Sequence, residues 1–293
     1  MGKLDALGRA TFHHIASHEA VRPTNRERRW LAHIERHGPQ SSVALIDLTS
    51  DTHRCHDTGL RSLQRLRAGG FLSLPPQQRA IERAEFQPYV YDITERAKNW
   101  LVEKGCFEDA LRPTGHWWHT FTVASISSAV DRAAQAQSLR YIPARIVLNI
   151  RQATPGIPCT GGTIYPDQIF ALDYGGSFRA FMLEVDRGTE PFSSRSARES
   201  LARKISGYSQ IIAHNLHQQH YGLKSPLALL FTFASVTRAR HFVEMITGQH
   251  AALAAATLVQ TLAPDDPLLR RANAYVTAPW LRASGGNMEI LKA

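Results

Sequence analysis

The sequence predicts an α/β chain, α+β overall, built from two domains. The first is helical and closed by a short β-ribbon; the second is an α/β domain with a mixed sheet. Three observations predict this. Stripes of apolar residues at helical spacing alternate with short β-branched and aromatic runs. Their order changes around Phe107 to Gly115, where Pro113 and Gly115 mark a linker. The chain has 293 residues, 43% apolar and 20% charged, enough for two packed cores and too apolar for global disorder.

Residues 1–22 are polar, His-rich and weakly periodic, and read as a flexible arm ending at Val21-Arg22-Pro23. From Asn25, Trp30, Leu31 and Ile34 form a helical stripe, ended by Gly38-Pro39. Val43 to Leu48 suits a second helix. Asp51 is placed to cap a third, which carries Leu60, Leu63 and Leu66 and stops at Gly69-Gly70. Phe71–Leu74 and Tyr89–Ile93 read as two strands, and Thr94-Glu95 opens a helix closed by Gly105. In the second domain His119–Gln135 reads as a helix, Tyr141–Ile150 as a strand and 151–166 as a loop. Gln168–Asp173 and Phe178–Asp186 flank Tyr174-Gly175-Gly176-Ser177, a hairpin signal. Ser196–Gln219 is expected helical, Leu227–Ala234 a buried strand, and Thr237–Thr247 and Ala251–Leu262 helices.

Lys plus Arg number 34 against 25 Asp plus Glu, a net charge of +9. Such a balance points to a polyanionic partner, above all nucleic acid. Only Lys3, Lys98, Lys104, Lys204, Lys224 and Lys292 are lysines. The arginine excess suits forked contacts to phosphate and guanine. Cys55, Cys106 and Cys159 form no CxxC pair, which argues against a zinc ribbon and a secreted disulfide scaffold. The N-terminus has no apolar signal region, and the longest apolar run, Pro226 to Val236, is too short to span a bilayer. The expected location is the cytoplasm. No GxGxxG or GxxxxGK[ST] element is present, so no nucleotide cofactor is implied.

Three short helices, a two-stranded ribbon and a closing helix is the order of a winged helix-turn-helix, here over residues 23–110. Such folds place the third helix in the major groove. LRSLQRLRAGGFL and YVYDITERAKNWL resemble the corresponding parts of winged-helix regulators. Arg54, Arg61, Arg65 and Arg67 are then the expected DNA contacts. The bland alternative is a solvated helix face. Residues 21–83 carry 11 basic and 6 acidic residues, which suits phosphate contact.

The chemistry concentrates in PDQIFALDYGGSFRAFMLEVDRGTE, residues 166–190. Strand alternation puts Glu184 and Asp186 on one face, and the hairpin brings Asp167 near them. Three carboxylates at the end of a buried strand repel unless a cation neutralises them. Mg²⁺ or Mn²⁺ takes such oxygen ligands and polarises phosphodiesters. The bland reading is an ion-pair network with Arg187, Arg203 or Lys204.

A Pro-Asp, a hairpin and then a Glu-centred strand end resemble the PD-(D/E)xK nuclease core. Together with the winged helix, His119 before a helix, LEVDRGTE and a following basic helix with Tyr208, the chain is similar to the plasmid replication-relaxation family over about residues 25–250. That family is related to MOBC-type relaxases. The resemblance implies a restriction-endonuclease-like α/β domain over 115–293. It also implies metal ligation by Asp167, Glu184 and Asp186, and phosphate contacts from Arg187, Arg198 and Lys204. One departure stands out: the lysine of the nuclease motif is replaced by Asp186. Either Lys204 takes that role from the next helix, or the fold is kept for binding without catalysis.

The expected function is therefore a plasmid replication or mobilisation protein that binds a DNA site and nicks it with a divalent metal. The alternatives are a non-catalytic regulator or initiator, and a protein that recruits replication or transfer partners. Expected partners are duplex DNA, replication or transfer proteins and a second copy of the chain; a membrane is not among them. His214, His217 and His220 spread too widely around a helix for a zinc site. Trp117-Trp118 reads as packing before base stacking, and Tyr208 as core before nucleophile.

Overall fold

The computed structural model describes residues 15–53, 55–81, 87–188, 201–263, 265–266 and 268–292. The chain divides into two compact units, 1–128 and 129–293.

In the first unit, helix α1 (Asn25–His37) opens with a capping box: the Thr24 side chain accepts from the Glu27 amide, and the Glu27 carboxylate accepts from the Thr24 amide at 2.7 Å. Strand β1 (Gln40–Ser41) leads into α2 (Ser42–Leu48), capped by the Ser41 hydroxyl. A 3₁₀ turn (Ser50–Thr52) precedes α3 (His56–Ala68). Then come β2 (Leu72–Ser73), β3 (Val90–Ile93) and α4 (Glu95–Glu103), whose N-cap is Thr94. The three strands form an antiparallel sheet in the order β1-β3-β2.

The expected stripes become the core: Trp30, Leu31, Ile34, Leu45, Leu63, Leu66, Phe71, Tyr91 and Leu101 are buried together. The Trp30 indole ties α1 to α2 by donating to the Leu45 carbonyl (2.5 Å) and the Thr49 hydroxyl (2.9 Å). Helices α2 and α3 meet at Gly59, where a Cβ would lie 2.7 Å from Ile46 Cγ1, so only glycine allows this approach.

Two expectations need correction here. Asp51 does not cap α3, because its carboxylate is taken by Arg29 at 2.9 and 3.0 Å; the helix starts five residues later behind Cys55. The linker region is coil over 104–116, but the first part of α5 (Trp117–Ala136) packs with the first unit. There Ser128 Oγ lies 2.7 Å from His33 Nε2, and Gln40 donates to the Ala124 carbonyl at 3.1 Å.

The second unit is a seven-stranded mixed sheet with helices. In chain order it contains β4 (Arg140–Pro143), α6 (Ala144–Asn149), the hairpin β5 (Ile157–Cys159) and β6 (Gly162–Ile164), β7 (Gln168–Asp173), β8 (Phe178–Asp186), α7 (Leu201–Ala213) and α8 (Leu216–Tyr221). It continues with β9 (Leu227–Phe233), α9 (Val236–Gln249), α10 (Ala251–Ala256), β10 (Thr257–Thr261), α11 (Ala272–Thr277), β11 (Trp280–Arg282) and β12 (Asn287–Met288). The sheet order is β12-β11-β10-β9-β8-β7-β4; only the β8/β9 and β9/β10 pairs are parallel.

Alternate residues Ala180 and Met182 of β8 pack with Leu229, Phe231 and Phe233 of β9 against Leu201, Ile205, Tyr208, Phe242 and Ile246. One sheet face thus receives α7 and α9. Gly207 lets α7 approach the β5–β6 hairpin: a Cβ there would lie 2.3 Å from Ile164 Cγ1.

Several expected elements change type or length. Tyr141–Ile150 is a strand only to Pro143, after which α6 begins; the apolar residues Ala144, Val147 and Leu148 are a helical stripe. Ala251–Leu262 splits into α10 and β10 where alanines give way to Thr257, Leu258 and Val259. The expected helix 196–219 breaks at Asn215, which sits at φ 50°, a left-handed position that Asn tolerates. His214 therefore lies in the turn between α7 and α8, while His217 and His220 are on α8. Residues 196–200 of that expected helix lie outside the described residues. Among the described residues, no helix is long and apolar enough to cross a membrane.

Candidate functional site

The site grows from the β7–β8 hairpin. Its turn closes with the Tyr174 amide on the Ser177 carbonyl (2.8 Å) and the Gly176 amide on Asp173 Oδ1 (2.6 Å). The register pairs Gln168 with Leu183, which sets Asp167, one residue before β7, across from Glu184. Asp167 Oδ2 accepts the Val185 amide at 2.7 Å. That bond pins a half-buried carboxylate at the strand end.

Glu184 is buried, 2% exposed, on the face that meets α7. Lys204 and Tyr208, four residues apart on that helix, both reach it. Lys204 Nζ donates to Glu184 Oε2 at 2.9 Å, and the Tyr208 hydroxyl donates to Oε1. Asp167, Glu184 and Lys204, separated by 37 positions in sequence, thus lie together.

Burial pushes the Glu184 carboxyl up to about 7; Lys204 pulls it back, and the neighbouring Asp167 charge raises it again. Burial and the Glu184 carboxylate hold the Tyr208 phenol well above its ordinary range. Tyr208 is fully buried and placed as a donor that orients Glu184.

Asp186 belongs to a different arrangement. It is 6% exposed and shares the face of Glu184, as alternation requires. Its carboxylate is held by Arg238 of α9: Nε lies 2.8 Å from both oxygens and Nη2 2.7 Å from Oδ2. The Gly188 amide adds a bond of 2.6 Å to Oδ1. Sequence reasoning missed Arg238; the only available signal was a basic residue in the first turn of the helix after a buried strand. Of the other expected partners, Arg203 donates to the Gly161 carbonyl at 2.9 Å, and Arg187 is half-buried with its guanidinium pushed down by burial.

The Glu184 carboxyl gives a pH signature in metal-free protein. Its folded-state value, near 7, lies above the ordinary 4.5. The folded state therefore holds this proton more tightly, and that contribution is full below pH 4.5 and lost as pH rises through 7. The stability of the native chain relative to Glu184→Gln should fall by up to about 3 kcal/mol between pH 4.5 and 8. Urea titrations of both proteins at a series of pH values check this; parallel pH profiles would contradict it.

In the first unit, the four expected arginines separate. Arg61 is exposed on α3 and has no side-chain partner among the described residues. Thr58 and Gln64 are exposed beside it along the helix. Arg65 is instead a strut: its guanidinium pairs with buried Glu27 and donates to the Arg22 carbonyl at 3.2 and 3.3 Å. Arg67 is half-buried near Tyr89 and Tyr91, with burial lowering its proton affinity. Arg54 and Arg198 lie outside the described residues.

Glu27 is fully buried, so removing Arg65 strands a charge. Arg65→Ala should cost about 1–3 kcal/mol, limited because Glu27 keeps its bonds to Thr24. Chemical denaturation of the two proteins measures it.

A model of the replication-relaxation family matches residues 31–227. No curated protein matches the chain. Among solved structures, an XisH family protein from Nostoc punctiforme PCC 73102 aligns at 13% identity over 49% of this chain and 94% of its own, with a TM-score of 0.25. SdaI restriction endonuclease aligns at 12% identity over 84% of this chain and 88% of its own, with a TM-score of 0.20. The family match takes in α2, α3, the β7–β8 hairpin and α7, and so includes Asp167, Glu184, Lys204 and Tyr208. With well over half of its length matched, this chain belongs to the replication-relaxation family.

Proposed function

We propose that this chain is a plasmid replication or mobilisation protein that binds duplex DNA through its first unit and nicks one strand with a divalent metal at Asp167 and Glu184. Family membership suggests the plasmid role. The observation that carries the nicking reading is Lys204: its ammonium stands 2.9 Å from Glu184, delivered from helix α7 and not from the strand. On this reading, helix α7 supplies the lysine that the strand motif lacks.

The donor set fits Mg²⁺ or Mn²⁺. Two carboxylates of hard oxygen stand close enough for Asp167 to raise the proton affinity of Glu184, so a cation between them relieves repulsion. Each carboxylate oxygen bonded by Lys204 or Tyr208 keeps a second lone pair. A bound ion would supply Lewis-acid polarisation of the scissile phosphodiester. The chain's own residues do the rest. The Val185 amide and the Tyr208 hydroxyl orient the carboxylates, and Lys204 presents a positive charge to the phosphate. Asp186, neutralised by Arg238, braces β8 against α9.

For the first unit, a winged helix-turn-helix is the reading that α1–α4 and the β1-β3-β2 sheet support best, with α3 entering the major groove. Arg61 is then the base or phosphate contact. Arg61→Ala should weaken DNA binding and, for a phosphate contact, reduce the salt slope by about one. Affinity measured over a salt series decides this; an unchanged slope and affinity would remove Arg61 from the interface.

The test of nicking is conversion of supercoiled plasmid carrying the native locus to open circles with Mg²⁺ or Mn²⁺ but not EDTA, lost in Glu184→Ala. A second reading rests on the same ion pairs: with Glu184 held by Lys204 and Asp186 by Arg238, the acidic trio is structural and the protein acts by binding. A clear gel shift of the same DNA without conversion would establish it.

A further inference from the structure

The second unit holds a basic cavity that the nicking site does not use. It measures about 360 Å³ and is lined by Arg179, Arg282, Lys292, Glu289, Asn287 and Met288, with Pro279 beside them. Arg179 lies on β8 five residues before Glu184. An odd separation puts it on the opposite sheet face, roughly 17 Å along the strand at about 3.3 Å per residue. The cavity and the acidic site are therefore distinct.

The segment after β12 builds one wall. Its backbone is fastened to the β7–β8 turn, where the Tyr174 hydroxyl donates to the Ile290 carbonyl at 2.6 Å, and Ile290 and Leu291 are buried. Arg179 stacks near Tyr174, its guanidinium carbon 5.6 Å from the ring centroid. Its Nη1 is buried with no hydrogen-bond partner among the described residues, while the guanidinium also engages the Tyr174 hydroxyl.

Charge points the same way. Three cations face one carboxylate, and Glu289 is already matched by Lys292 at 2.8 Å. Arg282 donates to the Ala255 carbonyl at 3.0 Å and is held against the Met288 sulfur at 3.2 Å, which fixes its plane beside the cavity. Two guanidinium forks beside an exposed ammonium suit an anion with several oxygens and more than one charge. The volume is in the range of small-ligand pockets and exceeds the needs of a lone carboxylate.

We infer that this cavity, between the end of the sheet and the segment after β12, binds a phosphate ester through Arg179, Arg282 and Lys292. The shared chemistry is the phosphoryl group; its source is either a free nucleotide-like phosphate or the phosphorylated end of a DNA strand.

Isothermal titration of the metal-free full chain with pyrophosphate at low salt tests the site. Saturable binding is expected, weakened at least tenfold by Arg179→Ala and several-fold by Lys292→Ala. Lys292 is exposed, so its variant keeps the fold if Arg179→Ala does not. Absence of binding, or binding that both folded variants retain, would overturn the assignment. Competition by a 5′-phosphorylated oligonucleotide, with its 5′-hydroxyl twin as control, then assigns the source. Displacement by the phosphorylated strand alone marks a DNA end; displacement by neither marks a free phosphate ligand. Plasmid nicking is not read in this experiment, so a dead acidic site leaves its outcome unchanged.

Discussion

Lys204→Met should lower metal-dependent plasmid nicking by about 10²–10³-fold while DNA affinity stays within about twofold, as expected when one preorganised positive group is removed from a charge-developing site. Met keeps the apolar stem of a side chain that is only 15% exposed, so packing against β8 is retained. The ammonium is what disappears. Its loss also withdraws the attraction that lowers the proton affinity of Glu184, so that carboxyl shifts further up from about 7. Residual nicking in the variant should therefore rise more steeply between pH 7 and 9 than in the native chain. Open-circle formation at several pH values, with a gel shift on the same DNA, measures both effects. Native rates in the variant would reduce Lys204 to a counter-ion and remove the argument for a lysine delivered by α7.

How far the site was legible follows from how each residue is placed. Glu184 and Asp186 were readable because strand alternation is rigid: two residues apart means one face. Asp167 was readable because the Gly175-Gly176 turn fixes a short antiparallel register. Lys204 was readable only as a candidate. A helix following a strand must pack back on it, but which helical residue meets which strand residue depends on packing at Gly207 and Ile205 that no periodicity reveals. Arg238 was illegible for the same reason, 52 residues from Asp186 and without a motif. Long-range ion pairs are set by the crossover connections, and local sequence carries none of that information.

The fold shows a similar division. Helices with a cap and an apolar stripe, such as α1 behind Thr24 and α4 behind Thr94, were predicted within a residue or two. The strands β1, β11 and β12, each three residues or fewer, carry too short a pattern to register. Chemistry misled at Asp51, which has the composition of a helix cap yet is taken by an ion pair with Arg29.

The Asp186–Arg238 pair carries the largest expected stability effect. Arg238→Ala should destabilise the chain by about 3–5 kcal/mol, because it leaves a carboxylate that is 6% exposed without its counter-ion. The Gly188 amide still bonds Asp186, but it replaces only part of a bidentate guanidinium. The double variant Asp186→Leu/Arg238→Met should recover most of that loss, since exchanging a buried ion pair for apolar groups of similar volume is often neutral. The comparison also separates the two readings of Asp186. A strut can be replaced by packing, so the double variant should nick plasmid within about threefold of the native rate. A metal ligand cannot, and a folded double variant with Glu184 intact but no nicking would return Asp186 to the metal. Denaturant titration of the native, single and double variants, run beside the plasmid assay, reads both results from the same preparations.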